Sequence, residues 1–311
     1  MYDLRTKIKC RNAICLSAEQ RTRAACLNYG AFMADREGIY DALLERARKE
    51  GKLKDNSIKG IWEINLNFKP SKNERLFTYK VIVVQTTYGQ GSCYAAPNEP
   101  LGIDRSIIGK SIDEVDMDSG TSFPLKVAIL DSIYGTPTIR PDLEVEISGD
   151  STSKSRYRAE IIAGEVSRII NAKQARSELK SKVPVVLNIG YVGTFYTILT
   201  KSFNPEYLVT DLEDELLSTK GQVDVFDGNK YNREFLKKAD VAIVTGMVIA
   251  TRTLSDIIET ARENNTSVLV FAETGYNLAP YYREFGVDVA VSEPFPYYIF
   301  DGASTIRVFR K

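Results

Sequence analysis

The chain has 311 residues, of which 43% are apolar and 26% charged, the composition of an ordinary globular protein. Lysine plus arginine and aspartate plus glutamate number 41 each, so no net charge draws the protein to nucleic acid or to an anionic membrane. The sequence contains no histidine, which excludes a Ser-His-Asp or Cys-His nucleophile system and any zinc site with a histidine ligand from this chain.

No apolar run approaches the roughly 18 residues that a membrane helix needs. The residues that follow Met1 also lack the apolar core of a signal peptide. We therefore expect a cytoplasmic protein with neither a membrane nor a nucleic acid as partner. At about 100–200 residues per domain, the length favours two domains.

The first third of the chain predicts two helices and an antiparallel strand pair. Ser17–Gln20 has capping-box spacing and predicts a helix over about Ala18–Met33, and Tyr40–Glu50 is amphipathic with a terminal glycine. Two extended runs follow, Ile61–Phe68 and Leu76–Gln85, and turn residues separate them. This spacing is typical of antiparallel strands.

The middle of the chain is harder to assign. Thr87–Pro100 is rich in glycine, proline and serine and predicts a long loop that carries Tyr88 and Cys93, and loops of this length are often functional. A helix is predicted over Leu125–Tyr134, and the polar segment Thr136–Ser155 is predicted to be irregular.

From Val183 onward, short apolar runs alternate with helical stretches, and a long amphipathic helix, Tyr157–Lys180, precedes them. Strands without polar alternation are buried on both faces, so the pattern predicts a parallel, doubly wound sheet with helices on both faces. The predicted domains are therefore a smaller α+β domain, 1–150, and an α/β ligand-binding domain, 151–311. The six runs are Val183–Ile189, Tyr207–Thr210, Val223–Phe226, Val241–Val244, Val268–Phe271 and Val287–Val291, and Phe300–Phe309 is a candidate final strand.

Ligands bind such sheets at the carboxyl ends of the strands, so the residues that follow each strand are the candidate ligand contacts. Asn188–Gly193 is a two-glycine form of the dinucleotide fingerprint; the alternative is a turn that only joins strand to helix. Asp211 lies where an acid that binds a ribose hydroxyl is expected, or else begins an acidic helix. The predicted cofactor-binding residues are Gly190, Tyr191, Gly193, Asp211, Thr245, Gly246, Thr274 and Gly275.

Acid–base chemistry without histidine would fall to carboxylates and tyrosines. The candidates are Asp211, Glu273, Tyr191 and Tyr88, and Cys93 is the candidate metal ligand because a thiolate favours soft metals. The aromatic segment Phe295–Phe300 is either part of the core or the interface of a homodimer.

Two segments resemble a known family. Ala239–Gly246 with Thr253-Leu254, and Ile108–Glu114 with Ala128–Ile133, resemble the heavy-metal chelation family, and together they anchor about Phe77–Pro296. The resemblance implies an enolase-N-terminal-like domain before a Rossmann-like domain. Two family turns differ here, at Thr251-Arg252 and at Ala272–Gly275.

The resemblance and the candidate residues at the strand ends, called the rim below, support three hypotheses. The first is a small-molecule or metal-complex binding protein whose crevice lies between the two domains at the strand ends. The alternative is an enzyme of a small-metabolite or natural-product pathway that uses Asp, Glu and Tyr as acid–base groups in the same crevice. The third is a scaffold protein. Both a metal ion and a nucleotide-type ligand remain open as cofactors.

Overall fold

A computed structural model describes residues 38–69, 76–95, 101–117, 122–213, 217 and 223–311. The predicted helix Ala18–Met33 and most of the predicted turn between the first two strands lie outside these residues. No helix among the described residues is long and apolar enough to cross a membrane.

A small antiparallel sheet forms the N-terminal part of the described chain. Its strands lie side by side in chain order, and the helices of this part pack against it. The predicted antiparallel pair is confirmed. The elements are α1 (Ile39–Lys49), β1 (Ile58–Phe68), β2 (Phe77–Thr86), β3 (Gln90–Ala95) and α2 (Phe123–Ile133).

The predicted loop Thr87–Pro100 is wrong in its middle, where β3 pairs with β2. Its glycines have a packing role: a side chain at Gly91 would collide with the backbone of α2 at Ala128 and Ser132. Glycine in a strand permits such close backbone approach. Cys93 and Tyr94 therefore lie in a buried strand, 0% and 6% exposed.

The second sheet has eight strands, six of them parallel. Its strands are β4 (Leu143–Ile147), β5 (Val185–Ile189), β6 (Glu206–Asp211), β7 (Val225–Asp227), β8 (Val241–Thr245), β9 (Ser267–Ala272), β10 (Val289–Ser292) and β11 (Ser304–Arg310). The order is β4-β11-β10-β9-β8-β5-β6-β7. The six parallel strands follow the Rossmann-like order 3-2-1-4-5-6. The order in which the chain adds strands to the sheet reverses between β5 and β8.

Two antiparallel strands extend the parallel sheet. β11 pairs with β10, and β4 pairs with β11 at the edge. The prediction of irregular structure over Thr136–Ser155 is therefore wrong at β4, whose alternating Leu-Glu-Val-Glu-Ile sequence suits an edge strand with one solvated face. β4 precedes residue 150, so a strand of the predicted N-terminal domain contributes to the large sheet; the domain boundary itself stays a prediction.

Helices cover both faces of the large sheet. They are α3 (Ser151–Ala175), α4 (Gly193–Phe203), α5 (Gly228–Lys238), α6 (Met247–Ala250) and α7 (Leu254–Glu263), with a 3₁₀ segment at Ala279–Phe285. α3 begins six residues earlier than predicted because the Asp150 side chain accepts a hydrogen bond from the Ser153 amide. One face packs on α3 and α4, and the other forms a core shared with α2 and the small sheet.

Candidate functional site

The turns that follow β5, β8 and β9 pack against one another beside the reversal in strand order. Gly190 has φ +86° and faces Thr245, whose side chain leaves no room for a Cβ there. Gly246 faces Thr274 in turn, where a Cβ would lie 3.2 Å from the Thr274 amide nitrogen. Four predicted positions are thus brought into one row; their role in ligand binding stays a prediction.

Asp211 and Asn188 hold the glycine turn in place. The carboxylate of Asp211 accepts hydrogen bonds from the amides of Tyr191 at 2.7 Å, Leu212 at 2.7 Å and Glu213 at 3.0 Å. The side chain of Asn188 donates to the Gly190 carbonyl and accepts from the Val192 amide. Both carboxylate oxygens of Asp211 are therefore already bonded to backbone, so the geometry favours a positioning role for this residue.

The small sheet contacts the rim through β3. The Gly275 amide donates to the Ser92 carbonyl at 3.0 Å, and the Tyr94 amide donates to the Thr274 hydroxyl at 3.2 Å. Nearby, the buried carboxylate of Asp131 accepts from the amides of Ser92 at 2.9 Å and Asn277 at 2.8 Å. These bonds make β3 a wall beside the turn that follows β9.

A buried charge cluster lies at the ends of β9 and β10. Ala272 and Ser292 are register partners, so Glu273 and Glu293 lie side by side, each one residue beyond its strand. Side chains alternate between the faces of a strand, which directs both glutamates to the face covered by α3. Arg158 of α3 meets them there, with Nη1 2.6 Å from Oε1 of Glu273 and 3.6 Å from Oε2 of Glu293.

The three members of this cluster differ in exposure. The side chains of Arg158 and Glu293 are 4% and 0% exposed, whereas that of Glu273 is 14% exposed. The Arg158 guanidinium also lies 4.1 Å from the ring centroid of Tyr298 and 4.8 Å from that of Phe271. Glu273 is therefore the member that solvent or a ligand reaches first.

Burial raises the pKa of Glu273 to about 7. The positive charge of Arg158 and a hydrogen bond from Tyr94 oppose this shift, and the second carboxylate, Glu293, adds to it. A carboxyl group with such a pKa exchanges its proton near neutrality, as a general acid or base does.

Two atoms of the cluster have no hydrogen-bond partner among the described residues: Nε of Arg158 and Oε2 of Glu293. The other oxygen of Glu293 accepts a hydrogen bond from the Ser304 hydroxyl at 2.7 Å. Buried polar atoms are bonded in the large majority of cases. These two atoms therefore retain unused hydrogen-bonding capacity.

Sequence reasoning found Glu273 but missed Arg158. A signal was available: Arg158, Ile162 and Val166 recur at helical spacing, so a charged residue lies on the apolar stripe of α3. A buried charge on such a stripe needs an opposite charge on the facing sheet.

The structure places Tyr88 in a turn and Cys93 in a strand, and their roles as acid–base group and metal ligand stay predictions. Tyr88 lies in the β2–β3 turn, 48% exposed, where its carbonyl accepts a hydrogen bond from Thr136. Cys93 lies inside β3, and its thiol donates to the Tyr94 carbonyl at 3.1 Å.

The described residues do not fit a bare heavy-metal ion. They contain no group of three or more Cys, Asp or Glu side chains that would hold a metal. Glu273 and Glu293 supply two carboxylates side by side, but the positive guanidinium of Arg158 contacts both of them. Soft metals also prefer thiolate ligands, and Cys93 is fully buried in β3.

Comparison with known proteins confirms the predicted family resemblance. Residues 177–289 match the DUF364 family, described as "Putative heavy-metal chelation". This segment runs from just before β5 to the start of β10 and includes every predicted cofactor-binding residue. Among curated proteins, none matches this sequence.

Two crystal structures of DUF364 proteins with unknown function share the fold. The protein from Desulfitobacterium hafniense is 13% identical, with a TM-score of 0.50 over 86% of this chain and 96% of that chain. The protein from Pyrococcus horikoshii is 14% identical, with a TM-score of 0.51 over 85% of this chain and 98% of that chain. At these identities the likeness concerns the fold alone.

Proposed function

We propose that this protein binds a small molecule in a crevice along the carboxyl ends of β5, β8 and β9, with β3 as its wall. The observation that carries the proposal is the Arg158–Glu273–Glu293 cluster, which lies behind the turn after β9 and presents only Glu273 to solvent. A buried charge cluster of this kind is costly to fold around, and a cleft with convergent polar groups is a typical ligand site.

Three features support a position near the reversal in strand order. The row of turns from Gly190 to Thr274 brings backbone groups close together. α4 begins at Gly193 without a side-chain cap, and in its first turn the Phe195 amide donates to the Val192 carbonyl, so the amides of Gly193 and Thr194 are the ones that face a ligand in this proposal. Thr194 at this helix start bonds Ser155 of α3, which places the helix start next to the helix that carries Arg158.

The ligand of this proposal is an organic molecule or a preassembled metal complex. The family description names heavy-metal chelation, but the residues described above do not supply the ligands for a bare ion. A complex that brings its own metal ligands needs only shape and charge complementarity from the protein.

The first test is thermal stabilisation by NAD(P), S-adenosylmethionine, ATP and pyridoxal phosphate. A ligand at 100 times its dissociation constant adds about 2.7 kcal/mol to stability. Gly193→Glu places a long acidic side chain at the first residue of α4 and is expected to abolish the shift. Gly164→Glu, at an exposed position in α3 with open space around it, is the matched control and should keep it. A shift that survives Gly193→Glu would place the ligand elsewhere.

An enzyme of a small-metabolite pathway is the second candidate, and one observation favours it. Glu273, with its pKa near neutrality, accepts a hydrogen bond from Tyr94, so a carboxyl and a hydroxyl group lie together at the crevice. If the bound ligand is turned over, the rate should follow an apparent pKa near 7 that disappears in Glu273→Gln. A pH profile unchanged by that substitution would exclude Glu273 as the acid–base group.

A further inference from the structure

The charges of the Arg158–Glu273–Glu293 cluster do not balance. Two carboxylates face one guanidinium, and a single nitrogen of that guanidinium serves both. Its 2.6 Å contact neutralises Glu273 more closely than its 3.6 Å contact neutralises Glu293. With both glutamates ionised, these three side chains carry one excess negative charge in a site of low dielectric. The buried Lys154, one turn earlier in α3, donates to the Tyr297 and Phe300 carbonyls.

Aromatic rings surround this excess charge. The Tyr94 ring stacks on Tyr297 at 5.3 Å between centroids, and Phe295 packs edge-on against Tyr297 at 5.4 Å. Tyr298 lies against the guanidinium of Arg158. These rings keep water from the cluster, and in such a low dielectric the excess negative charge attracts a cation more strongly than it would in water.

We propose that Glu273, supported by Glu293, binds a cationic group of the ligand, namely an ammonium, amidinium or guanidinium group. This inference rests on the proposed function, because it assigns the ligand class of the same crevice. Oε2 of Glu293, which has no hydrogen-bond partner among the described residues, supplies an acceptor in addition to Glu273. An N–H cation donates to such carboxylate oxygens with charge-assisted hydrogen bonds.

The chemistry separates this ligand class from two others. An anionic group at Glu273 would meet two carboxylates and be repelled. A bare metal ion would need more ligands than the two glutamates supply. A monovalent organic cation brings its own N–H donors, and together with Arg158 it balances the two carboxylates.

The probes are benzamidine, benzamide and benzoate, which share a ring but are cationic, neutral and anionic. Their affinities are measured by isothermal titration calorimetry on the full chain. We expect benzamidine to bind and the other two to bind at least about tenfold more weakly, which corresponds to about 1.4 kcal/mol. Glu273→Gln should weaken benzamidine by about tenfold or more, and Glu160→Gln, at an exposed glutamate of α3, should leave it unchanged.

The pH dependence of the wild-type protein is a second measurement that needs no variant. Benzamidine stays positively charged near neutrality, whereas Glu273 gains a proton as the pH falls, so the affinity should drop towards tenfold per pH unit below the pKa of Glu273. The charged and titratable groups that face Glu273 are Arg158, Glu293, Tyr94, Tyr297 and Tyr298. The tyrosines and the arginine keep their protons over this range.

Three outcomes would overturn the cationic assignment: no benzamidine binding, equal binding of benzamide or benzoate, or benzamidine binding that is unchanged in Glu273→Gln. If a nucleotide shifts the melting temperature in a Gly193-dependent way while benzamidine does not bind, the proposed crevice stands and only the cationic assignment fails. If benzamidine binds through Glu273 while Gly193→Glu has no effect on any ligand, the site is confined to the cluster.

Discussion

Replacing Arg158 with methionine tests whether the buried cluster is held together by charge. Methionine keeps most of the side-chain volume but leaves Glu273 and Glu293 facing each other, with the second of them fully buried. Breaking a buried ion pair by removing one partner costs about 3–5 kcal/mol. The slight exposure of Glu273 lets water approach it, so we expect the lower half of that range, about 3–4 kcal/mol at pH 8.

The loss should depend on pH in a defined direction. Burial already raises the pKa of Glu273 to about 7 with Arg158 present, and removing the guanidinium raises it further. A carboxyl group whose folded pKa exceeds its unfolded pKa stabilises the fold at low pH and loses that contribution as the pH rises. Arg158→Met should therefore be nearly harmless at about pH 4–5 and most damaging at about pH 8.

Urea denaturation at both pH values measures this difference. Arg156→Met is the matched control, because Arg156 lies two residues earlier in α3, is 58% exposed and pairs only at 3.7 Å with an exposed glutamate. Exposed pairs contribute about 0–1 kcal/mol. The reasoning is refuted if the two variants lose similar stability at pH 8, or if the loss for Arg158→Met is independent of pH.

Three further predictions concern the contacts around the crevice. Gly190→Ala should lower the free energy of unfolding by about 1–3 kcal/mol, because a non-glycine residue at φ +86° is strained. Gly164→Ala in α3 should instead raise it by about 0.5–1 kcal/mol. Urea denaturation of both variants checks the opposite signs, and equal effects would contradict them. Asp131→Asn tests a carboxyl whose pKa burial raises to about 8. This group stabilises the fold below its unfolded pKa and loses that contribution as the pH rises towards 8. The wild type should therefore exceed the variant in stability by more at about pH 5 than at about pH 8. A constant difference would show that Asp131 does not titrate in this window. Tyr297→Phe removes the 2.7 Å hydrogen bond to the buried Ser92 hydroxyl and should cost about 1–2 kcal/mol in the same assay; a loss below about 0.3 kcal/mol would show that Ser92 finds another partner.

The parallel sheet could be predicted because its signal is local. Strands such as β8 and β9 are short uninterrupted apolar runs, and helices such as α7 show a regular amphipathic period. Their alternation predicts strand–helix units without knowledge of the tertiary structure. β4 and β3 could not be predicted in this way. β4 is polar on one face, and β3 contains glycine for a contact with α2 that no local pattern reveals.

The candidate site follows the same division between local and distant signals. Glu273 was predicted because it directly follows a recognisable strand, and a strand end is a local feature. Arg158 lies 115 residues earlier in the chain, on a helix whose role as the cover of β9 and β10 depends on the assembled fold. A rule for such cases follows from the cost of burial: a charged residue on an otherwise apolar helical stripe requires an opposite charge on the facing element. For a helix that precedes a parallel sheet, the facing positions include the residues just beyond the strand ends, where ligands also bind. A positive charge on the apolar face of the covering helix and an acid just beyond a strand end therefore belong together. Considered jointly, these two sequence features indicate the Arg158–Glu273 pair.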